Sequence, residues 1–203
     1  MILNIIITVL MGYILGSIPF ALVIGKVFYN TDIRNYGSKN LGGGNTGRVL
    51  GKKAGLAVMT LDILKVTLAM FLSSLIEKSD IILVIAGLSA AIGHCFPLFA
   101  GFKGGKAVAT MYGFLFGLIT VNGGSVFMFL TALAVFLIIL YICKIIAAAS
   151  IGSALAATLF IWLNTGSILF LAALAVFDIL IIWRHIPNIK RMINHEENKI
   201  NWM

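Results

Sequence analysis

The chain has little charge and very little cysteine. Only 11% of its 203 residues are charged, and its two cysteines, Cys95 and Cys143, lie far apart. Two distant cysteines exclude a disulfide framework and show no metal-ligand spacing, so we expect free thiols. A charged fraction this low, with 61% hydrophobic residues and a mean hydropathy of +1.07, excludes a water-soluble domain. The sequence therefore predicts an integral membrane protein.

Acidic residues are scarce as well, since 7 Asp and Glu stand against 15 Lys and Arg, a net charge of +8. Nucleic-acid binding could use such a charge, but the chain has no soluble basic domain and no basic run interleaved with aromatic residues. We therefore predict no nucleic-acid partner. Basic cytoplasmic loops explain the excess, and membrane lipids with anionic headgroups are predicted partners.

Apolar runs separated by short turns predict an all-α, polytopic membrane protein with seven transmembrane helices. The run over 107–121 is short for a membrane crossing, so five helices plus a re-entrant pair over 107–121 and 124–142 are the alternative. No linker or internal repeat divides the chain, and we predict a single membrane-embedded domain over 1–203. The runs are Ile2–Ile24, Gly55–Ile76, Ile81–Phe99, Ala107–Val121, Gly124–Ile142, Ile145–Leu163 and Gly166–Trp183.

The distribution of Lys and Arg predicts the orientation of these helices. With the first run as an uncleaved anchor and the N-terminus outside, every basic loop residue except Lys78 lies inside. The C-terminus is then cytoplasmic.

Three polar segments lie on the cytoplasmic side in this topology: Gly37–Arg48, His94–Lys106 and Arg184–Arg191. Each combines Lys or Arg with Gly, Asn or His, which bind phosphate through charge, backbone N–H groups and neutral donors. Together they predict one anion site built from several loops. Taken singly, each segment could instead be a connector or a basic turn that contacts lipid headgroups.

The first two segments each suggest how an anion is held. Glycines of the first let the backbone approach the anion, and Arg48 adds charge. The spacing Gly42-x4-Gly47-Arg48 is similar to that of a P-loop, but it lacks the Lys and the Ser or Thr that complete the P-loop motif. This excludes a nucleotide triphosphatase. In the second, an anion could rest on free N–H groups of Gly104, Gly105 and Lys106 before a helix.

Charged residues also lie inside predicted helices, where they are costly. Asp62 and Lys65 are three residues apart and can neutralise each other, and Asp178 is a further candidate. Each could tie helices together or take part in chemistry.

Five motifs run in order along nearly the whole chain. They are Gly16-Ser17-Ile18-Pro19; Gly37-Ser38-x-Asn40-x-Gly42-x-x-Asn45 with Arg48; Leu61-Asp62-x-x-Lys65; His94-x-Phe96-Pro97 with Phe102-Lys103-Gly104-Gly105-Lys106; and Arg184-His185-x-x-Asn188 with Glu197. Together they resemble the bacterial acyl-phosphate:glycerol-3-phosphate acyltransferase family, the PlsY family.

This resemblance implies a step of phospholipid biosynthesis in the bacterial inner membrane, with the active site facing the cytoplasm. An acyl group would pass from acyl phosphate to the sn-1 hydroxyl of glycerol 3-phosphate, giving lysophosphatidic acid and inorganic phosphate. No cofactor and no metal would be used. A functional link to the enzyme that makes acyl phosphate is also implied.

The resemblance also assigns roles by position. Lys106, His185 and Asn188 would bind glycerol 3-phosphate, and either His185 or the substrate phosphate would take the proton. Ser38, Arg48, Lys106 and His185 are the catalytic candidates. The residues that would bind acyl phosphate are Ser38, Asn40, Gly42, Asn45 and Arg48. Gly104 and Gly105 would shape the loop that carries Lys106. The structural residues would be Asp62, Lys65 and Glu197.

The chain departs from the family pattern in its first loop. The family usually has Gly at Lys39, and a small residue followed by Thr at Gly43 and Gly44. Losing the Thr hydroxyl removes a phosphate donor, while Lys39 adds charge, so a diverged or catalytically impaired paralogue is a hypothesis. On this hypothesis Lys39→Gly, Gly43→Ala and Gly44→Thr together should raise activity. Other departures are Ala107 and His195, where Gly is usual, and Ala147, where Ser is usual.

Two other functions could also use a basic, polar membrane surface. An acyl-CoA-dependent acyltransferase needs the motif His-x4-Asp. None of the three histidines has Asp five residues after it, which excludes this class. A transporter of a small phosphorylated anion remains the alternative, and it would need polar residues along a path at mid-membrane depth. Here polarity collects at one face, which favours the enzyme.

Overall fold

The computed structural model describes residues 1–200, and every regular element within them is helical, as predicted. Residues 201–203, the end of the predicted domain and its C-terminus, lie outside the described residues. Short 3-10 turns cover Ile33–Asn35 and Leu98–Ala100. The α-helices are α1 (Ile2–Gly16), α2 (Phe20–Tyr29), α3 (Gly43–Leu50), α4 (Lys52–Ile76), α5 (Asp80–Cys95), α6 (Val108–Asn122), α7 (Phe127–Cys143), α8 (Ile146–Asn164) and α9 (Ile168–Ile193).

Five stretches are long and apolar enough to cross a membrane, counting α1 and α2 together: Ile2–Tyr29, Lys52–Ile76, Asp80–Ala100, Ile146–Asn164 and Ile168–Ile193. Helices α6 and α7 are apolar but have only 15 and 17 residues. Every predicted run is therefore helical, while the count of seven crossings stays a prediction.

The first run is not one helix, which corrects the prediction of an uninterrupted Ile2–Ile24. Helix α1 ends at Gly16 and α2 begins at Phe20. Pro19 lies at the break, where it has no N–H group to donate to the carbonyl four residues before it. The opposite outcome holds at Pro187, because α9 continues through it.

The described chain forms two compact units, Met1–Gly123 and a second that begins at Gly124. In the first unit, α1 approaches α5 closely through glycines. A Cβ added at Gly12 would lie 2.9 Å from the carbonyl oxygen of Ala86, and one at Gly16 would overlap the backbone of Ala90. Small residues allow such close contact between membrane helices. Helix α4 likewise meets α6, where Thr67 Oγ1 donates to the Gly113 carbonyl over 3.0 Å.

An apolar cluster brings the first two polar segments to one end of the first unit. Leu41 of the first segment and Ala100 of the second are both buried in it, together with residues of α2 and α4. At the other end, Asn4 donates to Glu77 over 2.8 Å and Asn122 to Asp80 over 3.1 Å. The helices of this unit therefore run between a basic end and an end that carries Glu77 and Asp80.

The second unit is held together by α8 packed between its neighbours, and by the chain after α9. Thr158 Oγ1 of α8 donates to Asp178 Oδ2 of α9 over 2.6 Å. Ile200 is buried against Leu140 and Ala149, and its N–H donates to the Lys144 carbonyl over 2.8 Å. The last described residues are thus anchored to the end of α7.

Candidate active site

Asn45 organises the first polar loop from within. Its side chain is buried, Oδ1 accepts from the Ser38 N–H over 2.8 Å, and Nδ2 donates to the carbonyls of Tyr36 over 3.1 Å and Ile33 over 3.4 Å. Both ends of the amide are therefore used to fold the loop. Ser38 itself is exposed and Asn40 half-buried, at the surface of the loop.

Helix α3 begins inside this loop, at Gly43, with Gly42 as its N-cap. The first N–H groups of a helix have no carbonyl partner within it, and the helix dipole favours an anion there. Arg48 lies in the last turn of α3 and is exposed to solvent. The loop thus offers backbone donors at one end of a short helix and a guanidinium at the other.

Two other cations of this region are already paired with Asp32. Arg34 donates to its carboxylate from Nε over 2.9 Å and from Nη2 over 2.6 Å, and Lys26 Nζ lies 3.8 Å from Asp32 Oδ2. The hydrogen bond from Arg34 lowers the pKa of Asp32 to about 2, so this carboxylate is charged at neutral pH. Lys26 and Arg34 therefore serve the fold of the connection before the first loop.

The second loop differs from its prediction in one respect. Gly104 N–H donates to the Cys95 carbonyl over 3.2 Å, and Gly105 N–H to the His94 carbonyl over 3.0 Å. The expectation of free N–H groups at both glycines is wrong, because the carbonyls at the end of α5 take them. Lys106 follows directly and is half-buried.

Beneath this loop lies a buried charged cluster. The Lys65 ammonium donates to Asp62 Oδ1 over 2.6 Å and to the Ile18 carbonyl over 2.9 Å, and lies 3.1 Å from His94 Nδ1. All three side chains are buried. The predicted Asp62–Lys65 pair is confirmed. The sequence does not predict His94 and the Ile18 carbonyl as its partners, although both residues lie in the motifs shared with the family.

In the second unit, α9 carries His185 and Asn188 one turn apart, both buried. His185 Nδ1 lies 2.8 Å from the Ile181 carbonyl, which can only accept, so Nδ1 carries a proton. Glu197 accepts from Asn188 Nδ2 over 2.8 Å and from Arg191 Nε over 2.7 Å. Glu197 thus ties the segment after α9 back to this helix. Within residues 1–200, no group of three or more His, Cys, Asp or Glu side chains could hold a metal ion.

Comparison with known proteins agrees with the resemblance found in the motifs, and it does so over almost the whole chain. The family model described as glycerol-3-phosphate acyltransferase matches residues 6–195. The glycerol-3-phosphate acyltransferase of Listeria monocytogenes serotype 4a (strain HCC23) is 44% identical over 205 residues, covering 100% of both chains. That of Geobacillus kaustophilus (strain HTA426) is 42% identical over 193 residues, covering 95% of this chain and 94% of the relative.

The chain belongs to the glycerol-3-phosphate acyltransferase family.

Solved structures identify the branch of this family. The crystal structure of PlsY, an integral membrane glycerol 3-phosphate acyltransferase, in its glycerol 3-phosphate form matches with a TM-score of 0.89 and 35% identity, covering 97% of this chain and 96% of that one. Its lysophosphatidic acid form matches with a TM-score of 0.87 and 34% identity, covering 97% and 95%. The resemblance to PlsY seen in five motifs is confirmed, and so is a multi-pass membrane protein.

Three of the departures from the family pattern lie where the backbone has a left-handed conformation. Lys39, Ala107 and His195, each a departure from the Gly that the family resemblance implies, have φ angles of 59°, 63° and 58°. This left-handed region favours glycine, because a Cβ atom there crowds the following carbonyl oxygen. This chain therefore has residues with a side chain at three positions whose backbone conformation favours glycine.

Proposed function

We propose that this protein transfers an acyl group from acyl phosphate to the sn-1 hydroxyl of glycerol 3-phosphate. The hydroxyl oxygen bonds to the carbonyl carbon, the bond from that carbon to the phosphate oxygen breaks, and lysophosphatidic acid and inorganic phosphate leave. The observation that carries the proposal is the full-length match to glycerol-3-phosphate acyltransferases together with the match to PlsY. Glycerol 3-phosphate acylation follows from the family, and acyl phosphate as the donor is the finer part of the proposal.

On the donor side, we assign acyl phosphate to the first loop and α3. Ser38, Asn40, Gly42 and the first N–H groups of α3 bind its phosphate or carbonyl oxygen, and Arg48 adds a fixed positive charge. Donors arranged before the reaction stabilise charge that develops on the carbonyl oxygen. Asn45 contributes through Ser38, whose N–H its side chain holds.

On the acceptor side, we assign the phosphate of glycerol 3-phosphate to Lys106 in the first unit, whose loop Gly104 and Gly105 shape. For the second unit, we propose separately that His185 and Asn188 bind glycerol 3-phosphate. The proton on His185 Nδ1 leaves Nε2 as the basic nitrogen of the neutral ring, which suits a general base. The substrate phosphate is the other group that could take the proton.

We further propose the arrangement in the membrane: a single domain with seven crossings, the N-terminus outside, and the active site at the cytoplasmic face of the bacterial inner membrane. The basic end of the first unit supports this orientation, since Lys and Arg concentrate in cytoplasmic loops. The hydrogen bond between Asn122 and Asp80 supports a full crossing by α6, because it joins the ends of α6 and α5 opposite that basic end. The enzyme that makes acyl phosphate is the proposed functional partner.

The test is a direct transfer assay on the purified protein in lipid vesicles. Palmitoyl phosphate and glycerol 3-phosphate should yield equal amounts of inorganic phosphate and lysophosphatidic acid, whereas palmitoyl-CoA in place of palmitoyl phosphate should yield none. Arg48→Ala should lower kcat/KM by about 10²-fold or more, since it removes a charged donor to the reacting group. Lys78→Ala, at an exposed residue of the opposite end, is the matched control and should leave activity unchanged.

Each negative outcome has a distinct meaning. Turnover with palmitoyl-CoA alone would contradict the donor assignment and leave glycerol 3-phosphate acylation intact. No turnover with either donor, from folded protein, would favour the impaired paralogue. Uptake of glycerol 3-phosphate into the vesicles without product would favour the transporter.

A further inference from the structure

The buried cluster below the second loop uses every donor of one lysine. An ammonium group has three N–H bonds, and Lys65 directs them to the Asp62 carboxylate, the Ile18 carbonyl and the His94 ring. Lys65 is 4% exposed, Asp62 1% and His94 6%. Charges buried this completely are costly, so the cluster must be held in one geometry.

This geometry fixes the ring of His94. Because the Lys65 ammonium can only donate, His94 Nδ1 accepts, and the neutral ring carries its proton on Nε2. Asp62 Oδ1 lies 3.5 Å from the same Nδ1 and holds the ammonium in place. One orientation of the imidazole is therefore selected.

The opposite edge of that ring supports the second loop. A Cβ atom added at Gly105 would overlap His94 Nε2, so the Gly105 backbone lies directly against the imidazole. The Gly105 N–H is bonded to the carbonyl of the same histidine over 3.0 Å. Any movement of the ring would thus move Gly105 and the residue that follows it, Lys106.

The cluster also reaches the break in the first span. Pro19 cannot extend α1, and the nearby Ile18 carbonyl accepts from Lys65. One lysine thereby joins that break, its own helix α4 and the end of α5. Three elements converge on the support of one loop.

We propose that Asp62, Lys65 and His94 are positioning residues for Lys106, and that they set the affinity of the protein for the phosphate of glycerol 3-phosphate. The inference rests on the proposed function in assigning that phosphate to Lys106. None of the three residues touches substrate. They act through the packing of the His94 ring against Gly105.

The first test removes the cluster's charges together. The double variant Asp62→Asn/Lys65→Met leaves no unpaired buried charge, so it should fold. It should raise KM for glycerol 3-phosphate at least 10-fold while KM for palmitoyl phosphate changes less than about twofold. Thr67→Val, which removes a hydrogen bond from the same helix to Gly113, is the structural control and should leave both KM values unchanged. Equal loss of affinity for both substrates, or none, would overturn the proposal.

The second test is a double-mutant cycle between the ring and the loop. Gly105→Ala alone should raise KM for glycerol 3-phosphate at least 10-fold, because the new Cβ displaces the loop from the imidazole. In a His94→Ala background the imidazole is absent, and Gly105→Ala should raise KM for glycerol 3-phosphate less than about threefold. An equal rise in KM in both backgrounds would mean that the imidazole does not support the loop.

Binding of radiolabelled glycerol 3-phosphate separates this inference from the proposed function. If the wild type binds it without turning it over, the transfer reaction fails, and weaker binding by the double variant still supports positioning. If turnover is normal and the variant binds as tightly as the wild type, the positioning fails alone. No binding by a folded wild type would overturn both.

Discussion

Lys39 has a backbone conformation that residues with a side chain rarely adopt. Its φ is 59°, and it is exposed between Ser38 and Asn40. The sequence alone indicates that Lys39 adds a charge near the phosphate. The structure adds a second effect, strain of about 1 kcal/mol in the segment that carries the catalytic candidates Ser38 and Arg48. Charge and strain predict different results for different substitutions.

We expect Lys39→Gly to stabilise the protein and Lys39→Ala not to. Glycine relieves the left-handed strain, and about 1 kcal/mol corresponds to a rise in Tm of roughly 2–4 °C in a chain of this size. Alanine removes the charge but keeps the Cβ atom. Thermal unfolding in detergent and the transfer assay, run on both variants, separate the two effects. If Lys39→Ala raises activity as much as Lys39→Gly, the charge accounts for the departure; if neither variant changes Tm, the strain is negligible.

Helix α3 lies against the start of α4 through three glycines. A Cβ at Gly43 would lie 2.7 Å from the Gly55 carbonyl oxygen and would also overlap Met59, whereas a Cβ at Gly47 would lie 3.7 Å from Gly55 Cα, an ordinary contact. This contact argues against one part of the sequence hypothesis. Restoring Gly43→Ala together with Lys39→Gly and Gly44→Thr would push α3 away from α4.

The pair Gly43→Ala and Gly47→Ala tests this contact within one helix. Gly43→Ala should destabilise the protein by about 1–3 kcal/mol, since a backbone oxygen cannot move aside cheaply, and should lower transfer activity because α3 carries Arg48. Gly47→Ala should be neutral or stabilising by up to about 1 kcal/mol, because alanine favours the helix and has room. Unfolding midpoints and kcat/KM measure both effects. A gain in activity from Gly43→Ala would contradict the close packing and restore the original hypothesis.

At the scale of the whole molecule, the two cysteines provide a test of orientation. Cys143 is exposed at the end of α7, and Cys95 is buried. The sequence predicts no disulfide between them, and neither cysteine forms one in the structure. Exposed Lys78 and Ser125 lie after α4 and before α7, at sites predicted to face outward.

A membrane-impermeant maleimide should label these sites from one side only. In intact spheroplasts, Lys78→Cys and Ser125→Cys, each in a Cys143→Ser background, should react, whereas native Cys143 should react only after the membrane is opened. Cys95 should stay unlabelled in every case because it is buried. Protection of Ser125→Cys with reaction of Lys78→Cys would favour the re-entrant pair over seven crossings. Reaction of Cys143 from outside would reverse the proposed orientation.

The sequence by itself determined the membrane class, the family and the approximate positions of the long apolar helices, but not the break before Pro19 or the short helix α3. These depend on properties that neighbouring residues carry: hydropathy over a window, the absence of charge, and motifs in fixed order. The Asp62–Lys65 pair was predictable for the same reason, because residues three apart on a helix lie side by side.

Only the tertiary structure decided which groups meet across elements. His94 and the Ile18 carbonyl join Lys65, the carbonyls at the end of α5 take the N–H groups of Gly104 and Gly105, and α3 closes on Gly55. No local pattern encodes these contacts, because they depend on how closely helices pack and on the carbonyls that a break or a helix end leaves available. The supports of the candidate site therefore became visible only once the helices were packed.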